Sequence, residues 1–147
     1  MAKAHVNRPA PAPPAAASPA AARGRLVGLG IDSVDIGRFG DVLARRPAML
    51  TRLFTDGERS YAARMADPVP SLAARFAVKE AVMKALGVGL GAFGWEDVEV
   101  VRLGLAGPQL VVTGRAAVLA GERGITGWHV SITHTDSVAS AAVAAVT

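Results

Sequence analysis

The 147-residue sequence contains no cysteine, so disulfide bonds and thiolate chemistry are excluded. It also contains no apolar run long enough to cross a bilayer as a helix. Acidic residues are missing from positions 1–25, which hold Lys3, Arg8, Arg23 and Arg25, whereas the other 12 basic residues are balanced by 12 acidic ones. The net charge of +4 therefore belongs to the N-terminus. A nucleic-acid-binding domain would carry a basic patch on its folded part, so the composition disfavours that class.

The first 24 residues are dominated by alanine and proline and include five of the nine prolines. Such a segment has too little bulky apolar surface to offset chain entropy, so we expect residues 1–24 to be a disordered extension. A basic, acid-free N-terminus is also typical of organellar transit peptides, but the prolines disfavour the amphipathic helix of those peptides. The remaining residues, 25–147, are enough for one domain with its own core.

The stretch Arg75-Phe-Ala-Val-Lys-Glu-Ala-Val-Met-Lys-Ala-Leu-Gly87 predicts a helix, because it lacks proline and internal glycine and ends at a glycine. Apolar residues cover nearly its whole circumference, which indicates a buried helix. It nevertheless carries Arg75, Lys79, Glu80 and Lys84. Charges on a buried helix require partners or a ligand. Either Glu80 and Lys84 form a plain ion pair four residues apart, or the two side chains face a ligand together.

The folded part begins with an apolar, glycine-containing run at residues 25–36, which predicts a buried strand. Gly28-Leu-Gly30 begins like a dinucleotide-binding fingerprint, but the third glycine would fall at Ser33, so the fingerprint fails. Two carboxylates end the strand. Asp35 has the position of a cap for the next helix, whereas Asp32 comes too early for a cap and is a candidate ligand.

The other elements follow from local signals. We expect helices over 38–48, from the capping-box spacing of Thr55 and Glu58 to about 65, from Ser71 as a cap to 87, and over 115–123. A glycine-rich loop follows at 87–94, and hairpins are expected over 98–113 and 128–146. The order is strand, three helices, hairpin, helix, hairpin. It predicts an α+β fold in which helices pack on one side of a mainly antiparallel sheet.

Three separated stretches together resemble one enzyme family. Gly30-Ile-Asp-Ser-Val-Asp-Ile-Gly-Arg38 resembles the opening motif of the 4′-phosphopantetheinyl transferases, and the segment 75–87 resembles their Phe-x-x-Lys-Glu-Ala-x-x-Lys-Ala motif. Ser131-Ile-Thr-His134 is similar to the Ser-x-Ser/Thr-His of their last hairpin. The short length resembles the holo-acyl-carrier-protein synthase branch, and the resemblance covers about residues 25–147.

The resemblance implies an enzyme that moves phosphopantetheine from coenzyme A to a serine of an apo acyl carrier protein. It implies that Asp32 and Glu80 hold Mg²⁺, a hard ion that prefers carboxylates, water and phosphate oxygens. By the same resemblance Glu80 takes the serine proton, directly or through a metal-bound water, and Lys84 neutralises the leaving phosphate. The resemblance also implies a cytoplasmic enzyme. It further implies a homotrimer with active sites between subunits, as in the short branch of the family.

Binding residues are implied in the same way. The expected contacts to coenzyme A phosphates are Arg75, Gly87 with its loop, His134 and Thr135. The expected contacts to the acidic helix of the carrier are Arg38, Arg45 and Arg52. Two alternatives remain open on the residues alone. His134 continues the apolar face of its strand and could be a core histidine, and the three arginines could be a solvated basic face.

The sequence therefore predicts an Mg²⁺-dependent phosphopantetheinyl transferase. A non-catalytic carrier-protein or nucleotide-binding module of the same fold is the first alternative, and another coenzyme A-dependent transferase is the second. The presence of Asp32, Glu80 and Lys84 together argues against a pure binder. Whether the carrier serves fatty acid or polyketide synthesis is left open.

Overall fold

The computed structural model describes residues 24–147, so the expected extension at 1–24 lies outside the described residues except for its last position. Five strands are present in this range: β1 (Leu26–Asp35), β2 (Val98–Arg102), β3 (Pro108–Val112), β4 (Gly127–His134) and β5 (Val138–Val146). Strands β1, β5 and β4 form an antiparallel sheet in that order, and β2 pairs with β3 in a separate antiparallel hairpin.

Five α-helices accompany the strands of the described range: α1 (Ile36–Arg45), α2 (Ala48–Leu53), α3 (Asp56–Ala62), α4 (Val69–Leu86) and α5 (Gly114–Glu122). A 3₁₀ turn at Trp95–Asp97 precedes β2. The predicted α+β class with antiparallel sheets is confirmed. The number of helices before the first hairpin is four instead of three, because Pro47 begins the short helix α2 as well as ending the preceding segment. Among residues 24–147, no helix combines the length and the apolar character that a bilayer crossing requires.

Several predicted helix ends are present. Asp35 caps α1 by accepting a 2.8 Å hydrogen bond from the backbone N–H of Arg38. Thr55 and Glu58 form the predicted capping box of α3, each side chain accepting from the other's backbone N–H. Gly87 ends α4 in the left-handed conformation with φ 65°. These local interactions were readable from sequence because both partners lie within four residues of each other.

Two boundaries differ from the prediction. Ser71 is not the cap of α4, because that helix begins at Val69 and tolerates Pro70 in its first turn, where no backbone donor is needed. Asp67 accepts a 3.0 Å hydrogen bond from the N–H of Val69 and thereby serves one of the free donors at this end. Helix α3 ends at Ala62, three residues before the expected boundary.

Helix α4 packs directly against β1 and β5 and passes through the centre of the core. Its approach to β1 depends on two glycines, because a Cβ on Gly28 or Gly30 would overlap the carbonyl oxygen of Ala85 or Ala81. The Gly-x-Gly of the first strand therefore serves helix–strand packing, not phosphate binding. The close approach brings the side chains of α4 within reach of Asp32, the next inward-facing residue of β1.

Candidate active site

Asp32 and Lys84 form an ion pair where β1 meets the C-terminal half of α4. Nζ of Lys84 lies 2.9 Å from Oδ1 of Asp32 and also donates to the carbonyl of Ile31 at 2.9 Å. The Asp32 side chain is 10 % exposed, whereas that of Lys84 is 53 % exposed. An aspartate nearly removed from water thus meets a lysine that remains open to a ligand.

Glu80 lies one turn before Lys84 and beside Asp32. The pKa of Glu80 is raised to about 7, first by burial, then by a hydrogen bond shared with Asp32 and by the negative charge of Asp32; Lys84 acts in the opposite direction. Oδ2 of Asp32 is buried, and no group within residues 24–147 donates a hydrogen bond to it. A proton held by Glu80 or a cation between the two carboxylates would satisfy this oxygen.

The structure therefore brings together the three residues predicted for catalysis, with one difference. Lys84 pairs with Asp32 from a distant part of the chain, and no Glu80–Lys84 ion pair is present among the described residues. The interpretation of Glu80 and Lys84 as a plain pair within one helix is wrong. The ion pair instead connects Asp32 of the motif at 30–38 with Lys84 of the motif at 75–87. A site that binds one ligand requires the two motifs to meet in this way.

The side chains of this cluster include oxygen groups of the kind that Mg²⁺ binds. No group of three or more His, Cys, Asp or Glu side chains that could enclose a metal is present within residues 24–147. Asp32 and Glu80 supply hard carboxylate oxygens, and Oδ2 of Asp32 has no hydrogen-bond partner among the described residues. Mg²⁺ commonly uses one or two carboxylates and completes its shell with water and substrate phosphates, so the residues present fit this ion.

Arg75 and His134 line a second region, a cavity of about 590 Å³ between α3, α4 and the two hairpins. Arg75 is 5 % exposed, and its guanidinium carbon lies 4.2 Å from the centre of the Tyr61 ring. Nη1 of Arg75 donates to Oγ of Ser71 at 2.7 Å, whereas its Nε is buried and has no hydrogen-bond partner in the described part of the chain. A buried guanidinium with an unused donor beside a cavity is suited to an anion.

His134 lies at the exposed rim of that cavity, so it is not a core histidine even though Ile132 on the same face is half-buried. Its Nδ1 lies 3.3 Å from the carbonyl oxygen of Thr135. The hydroxyl of Thr135 accepts from the N–H of Val138 at 3.1 Å and so stabilises the turn between β4 and β5. Thr135 therefore holds the backbone beside His134.

The two regions lie on opposite sides of α4. Arg75 and Lys84 are nine residues apart, which corresponds to about two and a half helical turns, so their side chains leave the helix in opposite directions. Within one chain, Asp32, Glu80 and Lys84 do not share a cavity with Arg75 and His134. The opposite directions follow from the spacing along the helix, but the sequence did not show which distant groups each side chain meets.

The remaining predicted residues fall in two places. Arg38 and Arg45 are exposed on α1, where Nε of Arg45 donates to the carbonyl of Asp41 at 3.2 Å. Arg52 is exposed on α2 and lies beside the glycine-rich loop after Gly87, next to Leu90, whose side chain is 76 % exposed. The three arginines therefore form a pair on one helix and a separate residue near the loop.

A buried ion pair was not assigned from the sequence. Glu58 and Lys79 are both completely buried and meet at 2.9 Å between Nζ and Oε2. The capping box had explained Glu58, and Lys79 had been counted among the charges of α4 without a partner. On a helical wheel Lys79 lies one turn after Arg75 and on the side away from Lys84. This position could have indicated that the partner of Lys79 lies outside the cluster of Asp32, Glu80 and Lys84.

Comparisons with known proteins identify the family of this chain. The family model described as the 4′-phosphopantetheinyl transferase superfamily matches residues 28–145. The chain is 49 % identical over 123 residues to a holo-[acyl-carrier-protein] synthase of Frankia casuarinae, covering 83 % of this chain and 98 % of that protein.

Two solved structures show the same fold. The holo-[acyl-carrier-protein] synthase of Neisseria meningitidis superposes with a TM-score of 0.75 at 28 % identity, covering 82 % of this chain and 98 % of the other. A holo-(acyl-carrier-protein) synthase of Bacillus anthracis, solved in complex with CoA (3′,5′-ADP), gives 0.69 at 29 % identity over 83 % and 97 % of the two chains. With the family model spanning most of the described residues, the chain belongs to the 4′-phosphopantetheinyl transferase superfamily.

Proposed function

We propose that this chain transfers the 4′-phosphopantetheine group of coenzyme A to a serine hydroxyl of an apo acyl carrier protein. The serine oxygen forms a bond to the phosphorus that carries pantetheine, the bond to the bridging diphosphate oxygen breaks, and adenosine 3′,5′-bisphosphate leaves. The observation that carries the proposal is the convergence of Asp32, Glu80 and Lys84 at one partly buried point. Relatives named holo-[acyl-carrier-protein] synthase support this assignment.

The roles of the acidic cluster follow from its geometry. Asp32 and Glu80 would hold Mg²⁺, which supplies neutralisation of the diphosphate charge when bound. Glu80 is the proposed base, acting directly or through a metal-bound water, because its carboxylate lies in the same cluster as Asp32 and Lys84. The exposed ammonium of Lys84 is placed to neutralise charge on the leaving phosphate.

The anion cavity gives the proposed contacts to the remaining coenzyme A phosphates. The guanidinium of Arg75 and the ring of His134 are the proposed donors there, and Thr135 supports the turn that carries His134. Backbone N–H groups of the loop after Gly87 are further candidates, because a glycine-rich loop lets an anion approach the backbone. These assignments rest on charge, burial and unused donors.

A homotrimer would bring the two regions together. Because Arg75 and His134 do not share a cavity with Asp32 within one chain, a neighbouring chain is the proposed source of the second half of a complete site. The sheet face opposite α4 is available for such an assembly, since Leu29 and Ile31 on β1 are 57 % and 58 % exposed. Exposed branched side chains on an open sheet are typical of an interface between copies.

The carrier protein is proposed to approach along the basic side of α1. Arg38 and Arg45 are exposed there, and Arg52 extends the positive surface toward the glycine-rich loop. An acidic carrier would be steered to this surface by charge, which raises the association rate and makes it depend on salt.

Incubation with coenzyme A, Mg²⁺ and an apo carrier, followed by intact-protein mass spectrometry, tests the proposal. The carrier should gain one phosphopantetheinyl group, and a carrier with alanine at the acceptor serine should gain none. EDTA should stop the reaction and added Mg²⁺ should restore it. Unmodified carrier in the presence of binding would favour the non-catalytic module, and transfer of an acyl group alone would favour another coenzyme A-dependent transferase.

A further inference from the structure

The buried pair of Glu58 on α3 and Lys79 on α4 is completely satisfied. Lys79 donates to Oε2 of Glu58 at 2.9 Å, to the carbonyl of Trp95 at 2.8 Å and to the carbonyl of Val98. Glu58 in turn accepts from the N–H of Val100 at 2.9 Å. All three ammonium protons are therefore used, and they tie α4 to α3, to the 3₁₀ turn and to β2.

The energetic cost of this arrangement indicates that stability is not its main effect. Burial lowers the pKa of Lys79, and the charge of Glu58 opposes that shift, as expected for an ammonium removed from water. Buried ion pairs often contribute no more stability than apolar residues of similar volume. Their best-supported effect is to fix one arrangement among several that would pack similarly.

The packing around α4 explains why such fixation would be needed. The helix meets β1 through small residues, with Gly28 opposite Ala85 and Gly30 opposite Ala81. Small side chains form shallow ridges, so they resist rotation of a helix less than interlocking large side chains do. Directional contacts from Lys79 to backbone carbonyls supply a constraint that the small-residue contact does not.

Rotation of α4 would directly affect the acidic cluster. Glu80 is adjacent to Lys79, and Lys84 lies five residues further along the same helix. For side-chain ends about 5–6 Å from the axis, a rotation of roughly 10° displaces them by about 1 Å. A misplacement of about 1 Å can lower turnover on the order of 10²-fold.

We propose that Glu58 and Lys79 are positioning residues that fix the rotation of α4 and thereby hold Glu80 and Lys84 against Asp32. The inference rests on the proposed transferase function only for its kinetic test. Neither Glu58 nor Lys79 touches the acidic cluster, so both act through the helix that carries it.

A double-mutant cycle tests the proposal. Glu58→Gln/Lys79→Met replaces the pair with neutral groups of similar size, and Lys84→Ala is then made in both backgrounds. We expect the pair variant to fold and to lose about 10- to 100-fold in kcat, with KM for the carrier changed less than about threefold. Lys84→Ala should then cost at least about fivefold less in the pair variant than in the wild type, because Lys84 is already displaced.

Leu119→Ala provides the matched control, since it truncates a core residue of α5 away from the acidic cluster. It should lower the melting temperature and keep kcat below that temperature, which separates loss of stability from loss of position. If the pair variant fails to fold, Glu58→Gln alone is compared in the same way, because glutamine keeps the shape. Wild-type kcat in a folded pair variant, or an additive effect of Lys84→Ala, would overturn the proposal.

A structural measurement decides the question without turnover. In a crystal structure of the pair variant, or of Glu58→Gln, the separation of Lys84 Nζ and Asp32 Oδ1 should exceed the hydrogen-bond range of about 3.2 Å. An unchanged contact would refute the positioning role. Absence of carrier modification by the wild type would refute the proposed function instead, and this distance would remain decisive for the pair.

Discussion

Lys84 donates a hydrogen bond to Asp32 across 2.9 Å and so joins a residue of α4 to one that lies 52 positions earlier in the chain. The contact depends on the close packing of α4 against β1 and leaves Glu80 beside both groups. One cation next to two carboxylates leaves a net negative point. Such a point attracts a divalent ion and raises the proton affinity of Glu80, the carboxyl that is not paired with Lys84.

Glu80→Gln should abolish most of the transferase activity while the fold persists. The substitution keeps the shape but removes both a charge and the proposed proton acceptor. We expect turnover to fall on the order of 10²-fold or more, as for removal of a key catalytic group. Carrier modification followed by mass spectrometry, with circular dichroism as a folding control, measures the loss. Near-normal turnover of a folded variant would rule out this role.

Stability should decrease with rising pH because of Glu80 when no divalent ion is present. The pKa of Glu80 is about 7 in the folded chain, against 4.5 for an unperturbed glutamate such as that of the unfolded chain. Between these two pH values the unfolded chain therefore releases a proton that the folded chain retains. The free energy of unfolding therefore falls across this interval and is level above it. Glu80→Gln lacks this loss, so its melting temperature should exceed that of the wild type by a few degrees at pH 8.

The difference in melting temperature between Glu80→Gln and the wild type should be smallest near pH 4.5 and largest above pH 7. Thermal unfolding in buffers that contain EDTA measures it. A constant difference over this range would show that Glu80 titrates normally.

Gly30→Ala should disturb both the core and the site. The added methyl would overlap the carbonyl oxygen of Ala81 and push α4 away from β1. We expect a destabilisation of about 1–3 kcal/mol, typical of overpacking, together with reduced turnover. Gly121→Ala is the control, since a Cβ added there would meet no atom of residues 24–147 within 4 Å and alanine favours a helix. Equal melting temperatures for the two variants would contradict the packing role of Gly30.

Mixed refolding should reveal whether the site is shared between chains. Asp32→Ala and His134→Ala should each be weak alone, because each removes one half of every site. After joint unfolding and refolding at equal amounts, some interfaces would pair an intact Asp32 with an intact His134 of the neighbouring chain. For random mixing in a cyclic oligomer, roughly a quarter of the sites should recover. If refolded wild type recovers and the mixture does not, the site lies within one chain.

Interactions between near neighbours in the chain were predictable from the sequence. The cap at Asp35, the capping box at Thr55 and the glycine at the end of α4 each involve residues within four positions. Helix α2 was missed, because a six-residue helix carries too little periodicity to be distinguished from a loop. The start of α4 was misplaced at Ser71, because prolines in a first turn resemble those of a loop.

The order of the predicted elements indicated the fold class, and the resemblance of the motifs to a transferase family identified Asp32, Glu80 and Lys84 as a set. Only the tertiary structure decided which of them pair. Lys84 contacts Asp32 because Gly28 and Gly30 let α4 pack closely against β1. The burial of Lys79 with Glu58 was settled in the same way, and so was the cavity that Arg75 lines on the far side of α4. The direction in which each α4 side chain leaves the helix follows from sequence, but what it meets depends on elements that are distant in the chain.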